Sequence, residues 1–287
     1  MTDYKPIGAG GFGTIFMSSQ RTVIKALYNK NNCDNAETEF NKQIKVYNTF
    51  ESIKHIQFDN PLIDDAKNII KVSKPINYDN RSIMINNNQY ACYFSMDYLY
   101  GLPLWMYKDI VPQALKKLNA DFEIMLHLSF NSHLKEDFYG AKPSSVFIDE
   151  HNPPRGYFIN ENSEFLKKLQ KYYKFPYNNN QLRFIIGFIY GVLFFHANLI
   201  PFDIEITLGY HNAQFYINIV DFGLVIDLDD LEHAPKHFYT EDVKNIINNN
   251  ESLEEYILNQ LSLDMYCDIS NDNHCLQGWN IAKNVFL

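Results

Sequence analysis

Basic residues are scarce in this chain and form no run of five or more. The 287 residues include 25 Lys and Arg against 34 Asp and Glu, which gives a formal net charge of −9. A protein whose main partner is nucleic acid or an anionic membrane benefits from a basic face, because phosphate groups attract Lys and Arg. The composition therefore argues against both kinds of partner.

Long apolar runs are also absent. A membrane-spanning helix needs about 18 or more uncharged apolar residues in sequence, and no such stretch is present. The first residues, Met1 to Pro6, contain no apolar segment of the kind found in secretory signals. We therefore expect a cytoplasmic protein without a membrane span.

Cysteine is sparse. Cys33, Cys92, Cys267 and Cys275 lack the close pairs that zinc sites use, so we expect free thiols in a reducing compartment. Hydrophobic residues make up 46% of the chain, enough for an ample core in one large domain or in two lobes.

Three separated segments carry the chemistry of the chain. They are Gly8-Ala9-Gly10-Gly11-Phe12-Gly13-Thr14-Ile15, then Val23-Ile24-Lys25, then Ile219-Val220-Asp221-Phe222-Gly223. Glycines let backbone N–H groups approach phosphate oxygens, and a lysine neutralises phosphate charge. An aspartate at the end of a buried strand is suited to hold the Mg²⁺ that bridges the outer phosphates. Together the segments predict a nucleotide-phosphate site.

The glycine pattern alone has a second interpretation, because G-x-G-x-x-G also opens dinucleotide-binding units, where the loop leads into a helix. Here it leads into residues 14–17, a short turn at 18–21, and residues 22–27, which predicts a strand, a turn and a strand. A hairpin under the loop argues against the dinucleotide site. The order of glycine loop, strand lysine and Asp-Phe-Gly resembles the signature set of the protein-kinase-like superfamily.

That resemblance implies an α+β fold with two lobes. Residues 1–98 would form an N-lobe with a small antiparallel sheet and one helix, and residues 99–287 a shortened, mainly helical C-lobe. The hinge would lie at 98–101, where backbone groups bind adenine in the family. ATP and Mg²⁺ are the implied cofactors. The implied nucleotide-binding residues are Gly8, Gly10, Gly11, Gly13, Ile15, Lys25, Glu39, Asp97 and Leu99.

A helix predicted at 36–50 stands where the family carries a glutamate that pairs with the strand lysine. The apolar pattern of this helix puts Gln43 at the pairing position, and Glu39 lies one turn earlier. Either Glu39 reaches Lys25 or the ion pair is weakened, and a solvated helix acid is an equal alternative for Glu39.

The catalytic loop of the family reads H-R-D-L-x-x-x-N, and the matching segment here reads Ile200-Pro201-Phe202-Asp203-Ile204-Glu205-Ile206-Thr207-Leu208. Asp203 falls at the position of the catalytic aspartate, and with Lys25 it forms the implied catalytic pair. The Arg is missing, so activation by a phosphate on the activation segment is not expected.

Leu208 occupies the place of the asparagine that ligates a second metal, and leucine has no oxygen to offer Mg²⁺. Glu205 would supply an oxygen beside Asp221, or one metal would be lost; pairing of Glu205 with a nearby base is the alternative. The segment from His196 to Phe222 also resembles, more weakly, a fungal kinase-like domain family of unknown function, which implies that Asp203 and Glu205 act as a unit.

Further elements follow from periodicity and turn signals. Strands are predicted at 69–72, 82–85 and 90–99, with a hairpin at Asn86 to Asn88. Helices are predicted at 165–173, at 182–196 after a cap at 178–180, and near 240–248 and 251–261. The helix at 182–196 is apolar nearly all round and should be buried.

The resemblance implies an ATP- and Mg²⁺-dependent phosphotransferase, with a protein hydroxyl as the acceptor. Two alternatives stay open. The missing His-Arg and asparagine suit a pseudokinase that binds nucleotide or a partner protein without turnover. Transfer of AMP to a protein is the other, because one fold hosts several chemistries.

Overall fold

The computed structural model describes residues 4–9, 13–19, 21–103, 123–124, 126–127, 164–202, 204–233, 240–249, 252–260, 269 and 272–285. Over these residues the protein is α+β, with antiparallel strands and several helices. Two predictions concern residues outside these ranges, namely the catalytic role of Asp203 and the phosphate contacts of Gly10 and Gly11. The division into domains at residue 98 stays a prediction.

The described strands are numbered in chain order. They are β1 (Lys5–Ala9), β2 (Gly13–Met17), β3 (Thr22–Leu27), β4 (Ile70–Val72), β5 (Pro75–Asp79), β6 (Ile83–Ile85), β7 (Asn88–Tyr90), β8 (Cys92–Asp97), β9 (Leu102–Pro103), β10 (Glu123–Ile124), β11 (Leu126–His127), β12 (Leu199–Ile200), β13 (Glu205–His211), β14 (Gln214–Val220) and β15 (Ile226–Asp227).

The described helices are numbered in the same way. They are α1 (Cys33–Ile53), α2 (Pro61–Ala66), α3 (Glu164–Tyr173), α4 (Asn179–Phe195), α5 (Thr240–Asn248), α6 (Leu253–Gln260) and α7 (Asn273–Asn284). None of these described helices combines the length and apolar character needed to cross a membrane.

A five-stranded antiparallel sheet occupies the N-terminal part of the chain, in the order β1-β2-β3-β8-β5. The predicted hairpin of β2 and β3 is confirmed. The turn predicted at Asn86 to Asn88 is also confirmed, because Asn86 and Asn87 have positive φ angles of 48° and 65° and join β6 to β7. Strand β5 was not predicted, since it begins with Pro75 and does not alternate; as an edge strand it tolerates proline at its first residue.

Helix α1 crosses from this sheet to the main core. It is longer than the predicted 36–50, and Phe40 packs edge-on against Phe94 of β8. Towards its C-terminus, Val46 and Phe50 join the large apolar cluster that also contains α4. One helix therefore contacts both the sheet and the helical part of the chain.

A disulfide joins Cys33 at the start of α1 to Cys92 at the start of β8. The expectation of free thiols is wrong for this pair, and Cys275 is disulfide-bonded as well. The two cysteines are 59 residues apart in sequence, so their spacing does not indicate the contact. Pairing of Leu27 with Cys92 across β3 and β8 brings the second cysteine beneath the helix start.

We expect this disulfide to stabilise the fold. Replacing Cys33 and Cys92 together by alanine should lower the free energy of unfolding by about 2–4 kcal/mol, because the cross-link limits the unfolded chain. Urea unfolding of the wild type and the double variant, both without reductant, measures the difference. Equal midpoints, or peptide mapping that finds no 33–92 cross-link, would contradict the bond.

The core of the helical part is α4. Asn178 and Gln181 form a capping box at its N-terminus, so the cap predicted at 178–180 is confirmed. Its central residues are buried on every side, as its apolar sequence predicts. At the C-terminal end His196 Nε2 lies 2.6 Å from Ala282 O of α7, and burial lowers the pKa of this imidazole.

A second sheet has the order β11-β13-β14-β4. In it β13 and β14 form a hairpin with seven residues in each strand, and β4 runs parallel to β14. The segment compared with the catalytic loop is therefore mostly strand. Leu208 lies inside β13 opposite Ile217 and is fully buried, while Glu205 opens the strand opposite Val220. The position expected for the missing metal ligand thus faces the core.

Candidate active site

The centre of the candidate site is an ion pair between β3 and α1. Lys25 Nζ donates to Glu39 Oε1 at 2.5 Å and to Oε2 at 2.8 Å, with 18% and 10% of the two side chains exposed. Gln43 instead donates to Ser73 O at 2.7 Å. Of the two candidates that the sequence left open, the structure joins Glu39 to the lysine.

The direction of the lysine follows from strand register. Ile15 of β2, Lys25 of β3 and Phe94 of β8 are cross-strand partners, so their side chains share one face of the sheet. Lys25 Nζ lies 5.7 Å from the centre of the Phe94 ring. Helix α1 covers this face, which puts Glu39 within reach of the ammonium.

The Asp-Phe-Gly segment lies beside this pair. Phe222 is buried in the main core, with 1% of it exposed, whereas Asp221 is exposed and has a φ of 62°. A left-handed backbone is costly for a non-glycine residue and recurs at functional sites. A Cβ placed on Gly223 would lie 3.4 Å from Asp221 Oδ1 and 3.7 Å from Glu39 Oε2, so the two carboxylates flank the same glycine.

Charge at the site is concentrated. Burial alone disfavours the ammonium, but attraction by Glu39, Asp221 and Glu205 outweighs it and raises the pKa of Lys25. Burial raises the pKa of Glu39, Lys25 opposes that shift, and repulsion by Asp221 adds to it. One cation thus faces three acids from α1, β13 and the end of β14.

The acids Asp221 and Glu205 are suited to a divalent cation. Glu205 is the strand partner of Val220, so it lies one residue from Asp221 across the hairpin. Mg²⁺ keeps several waters and takes one or two protein carboxylates beside substrate phosphates, so a metal site at Asp221 and Glu205 stays a prediction. Within the described ranges no group of three or more His, Cys, Asp or Glu residues is arranged to hold a metal by itself.

The glycine segment is described at both ends. Gly8 lies in β1 opposite Ile15, and Gly13 opens β2. A Cβ on Gly13 would lie 2.3 Å from Ala26 O, so glycine is required there for close approach of two strands. That packing requirement explains Gly13 without a ligand, and its phosphate contact stays a prediction.

Asp97, which directly precedes the expected hinge at 98–101, is engaged in other contacts. Asp97 N donates to Lys74 O at 2.9 Å, and the Asp97 carbonyl accepts from the Ser73 hydroxyl. Only the second lone pair of that carbonyl is left for a ligand, since a carbonyl accepts two hydrogen bonds. Leu99 is half-buried in the segment that follows β8. The adenine contacts of both residues stay predictions.

Two lysines near the site were not predicted. Lys42 Nζ donates to Val225 O at 2.5 Å, and Lys45 binds Asp227 and Asp229. The sequence contained one signal: Lys42 follows Glu39 by three residues and therefore shares its face of α1. It was missed because lysines are seldom buried.

Among solved structures, two complexes of APH(2″)-IIa are similar to this chain, one with streptomycin and ATP and one with gentamicin. Each is 13% identical, with 98% of this chain and 91% of that chain covered, at TM-scores of 0.24 and 0.23. No family model matches the chain, and no curated protein matches it.

Proposed function

We propose that the protein is a divergent phosphotransferase of the protein-kinase-like superfamily, with two lobes meeting at the candidate active site. The observation that carries this proposal is the contact of Lys25 with Glu39 beside Asp221 and Gly223. Three segments that are distant in sequence thus supply a strand lysine, a helix glutamate and an Asp-Phe-Gly aspartate in one place. That combination is the arrangement used for phosphoryl transfer from ATP.

In the proposed reaction, Lys25 binds the α- and β-phosphate oxygens, and the backbone of the glycine segment covers the phosphates. Asp221 and Glu205 would hold Mg²⁺, which neutralises charge on the β- and γ-phosphates. The acceptor hydroxyl of a protein bonds to the γ-phosphorus while the bond to the β–γ bridging oxygen breaks. Asp203 accepts the hydroxyl proton, and ADP leaves.

One structural observation favours a second candidate, a nucleotide-binding pseudokinase that acts through a partner protein. Leu208 is buried within β13, so nothing at that position replaces the missing asparagine. A site that holds one Mg²⁺ through Asp221 and Glu205 would then bind ATP without rapid phosphoryl transfer. The lysine and its glutamate would serve nucleotide affinity alone.

Labelled ATP distinguishes these functions. We expect the purified protein with Mg²⁺ and a cell lysate to transfer ³²P from γ-labelled ATP and not from α-labelled ATP, and we expect Asp221→Asn to abolish the transfer. Label from α-labelled ATP in a protein would show AMP transfer instead. Binding of Mg²⁺–ATP with no transfer would favour the pseudokinase, and absence of binding would contradict both proposals.

A further inference from the structure

Helix α1 is fixed to the chain that follows Gly223 by two lysine side chains. Lys42 is 3% exposed, and its ammonium donates to the carbonyl of Val225, which is itself fully buried. One turn later, Lys45 Nζ lies 2.8 Å from Asp227 Oδ1 and 2.6 Å from Asp229 Oδ2. Both contacts join residues more than 180 positions apart in sequence.

Residues 225–229, which accept the hydrogen bonds of Lys42 and Lys45, are themselves held by contacts with residues 198–200. Its strand β15 pairs with β12, where Leu199 faces Asp227 and Ile200 faces Ile226. The N–H of Leu228 donates to Asn198 O at 3.0 Å, and the Asn198 amide contacts the Asp229 carboxylate. A helix that contacts this segment is therefore linked through it to β12 and Asn198.

The position of these lysines relates them to the ion pair. Lys42 is three residues from Glu39 and on the same side of α1. Burial raises the pKa of the Glu39 carboxyl, and the charge of Lys42 opposes that rise. Burial lowers the pKa of Lys42 itself, opposed by Asp227 and Glu39. Burying an ammonium is costly unless it is hydrogen-bonded, which argues that this contact is specific and not incidental.

We propose that Lys42 and Lys45 are positioning residues that hold α1 on residues 225–229, so that Glu39 stays in contact with Lys25. The proposal rests on the proposed function, in which that ion pair aligns the phosphates. These lysine contacts also keep the pair of Lys25 and Glu39 formed in a chain that lacks the arginine by which the family binds a phosphate on the activation segment. The lysines touch neither nucleotide nor acceptor and act through Glu39.

The exposure of Lys25 to an amine reagent tests this without any nucleotide. Limited acetylation with N-hydroxysuccinimidyl acetate, followed by peptide mass spectrometry, reports how tightly the Lys25 ammonium is paired. We expect Lys45→Met to raise the labelling rate of Lys25 by about fivefold and Asp227→Asn to act in the same direction, because either change loosens α1. Lys45→Arg should restore the wild-type rate.

A double-mutant cycle separates positioning from general loosening. In a Glu39→Gln background the ion pair is already broken, so Lys45→Met should change Lys25 labelling by less than about twofold. Lys54→Met is the matched control, since Lys54 lies directly after α1 and pairs with Glu51 of the same helix. An equal effect of Lys45→Met in both backgrounds, or no effect in the native one, would overturn the proposal.

The affinity for Mg²⁺–ATP provides the second measurement. In the native background we expect Lys45→Met to weaken it by about fivefold, with no further loss in the Glu39→Gln background. A wild type that does not bind Mg²⁺–ATP would contradict the proposed function, yet the labelling cycle would still decide the role of Lys45. The test uses Lys45 variants because Lys45 is more exposed than Lys42, so it does not depend on whether Lys42→Met folds.

Discussion

Lys25→Met should reduce phosphoryl transfer by about two to three orders of magnitude, the usual cost of removing a preorganised charge from an active site. The Lys25 ammonium interacts with Glu39, Asp221 and Glu205. Without it, the site loses the positive charge that lies closest to Glu39 and that would bind the phosphates of ATP. Initial rates with γ-labelled ATP, together with the dissociation constant of Mg²⁺–ATP, measure the loss.

The same substitution should destabilise the fold, because it leaves the Glu39 carboxylate buried without its partner. Loss of one member of a buried pair costs about 3–5 kcal/mol, and the lower end applies here since Lys25 is 18% exposed. The double variant Lys25→Met with Glu39→Gln removes the uncompensated charge, so it should recover stability while activity stays low. Recovery of transfer in the double variant, or unchanged transfer in Lys25→Met, would rule out the assigned role.

Gly278→Ala should lower the free energy of unfolding by about 3 kcal/mol. A Cβ at Gly278 of α7 would lie 1.9 Å from Phe184 O of α4, and a Cβ at Gly187 of α4 would lie 1.9 Å from Cys275 O. The obstructing atoms are backbone atoms, so the helices must move apart and the buried contacts between them loosen. Overpacking of this kind costs about 1–3 kcal/mol and occasionally more.

The propensity of alanine alone would give the opposite result, because alanine in a helix is more stable than glycine by about 1 kcal/mol. Asn280→Ala on the exposed side of α7 is therefore the control, and it should be neutral or stabilising. Urea unfolding of both variants measures the contrast. A Gly278→Ala variant as stable as the control would show that the two helices do not approach as closely as described.

Local signals were sufficient for much of the secondary structure. The hairpin of β2 and β3, the Asn86-Asn87 turn and the cap of α4 each depend on a few neighbouring residues, and all are confirmed. The capping box in particular needs only Asn178 and Gln181 at the right spacing. The comparison of residues 200–208 with a catalytic loop was wrong for residues 205–208, which lie in strand β13. This strand forms by pairing with β14, and the residues of β13 alone do not reveal that contact.

The sequence by itself determined which groups the candidate site contains: a lysine on a strand, an acid on the following helix and an aspartate before Phe222. Only the tertiary structure decided that Glu39 and not Gln43 reaches Lys25, that Cys33 meets Cys92, and that Lys42 and Lys45 bind the chain beyond Gly223. The physical reason is sequence distance. Periodicity fixes the face of a helix on which a side chain lies, but the partner across a sheet or a core is set by packing of segments that lie more than 180 residues away in the case of Lys42 and Lys45.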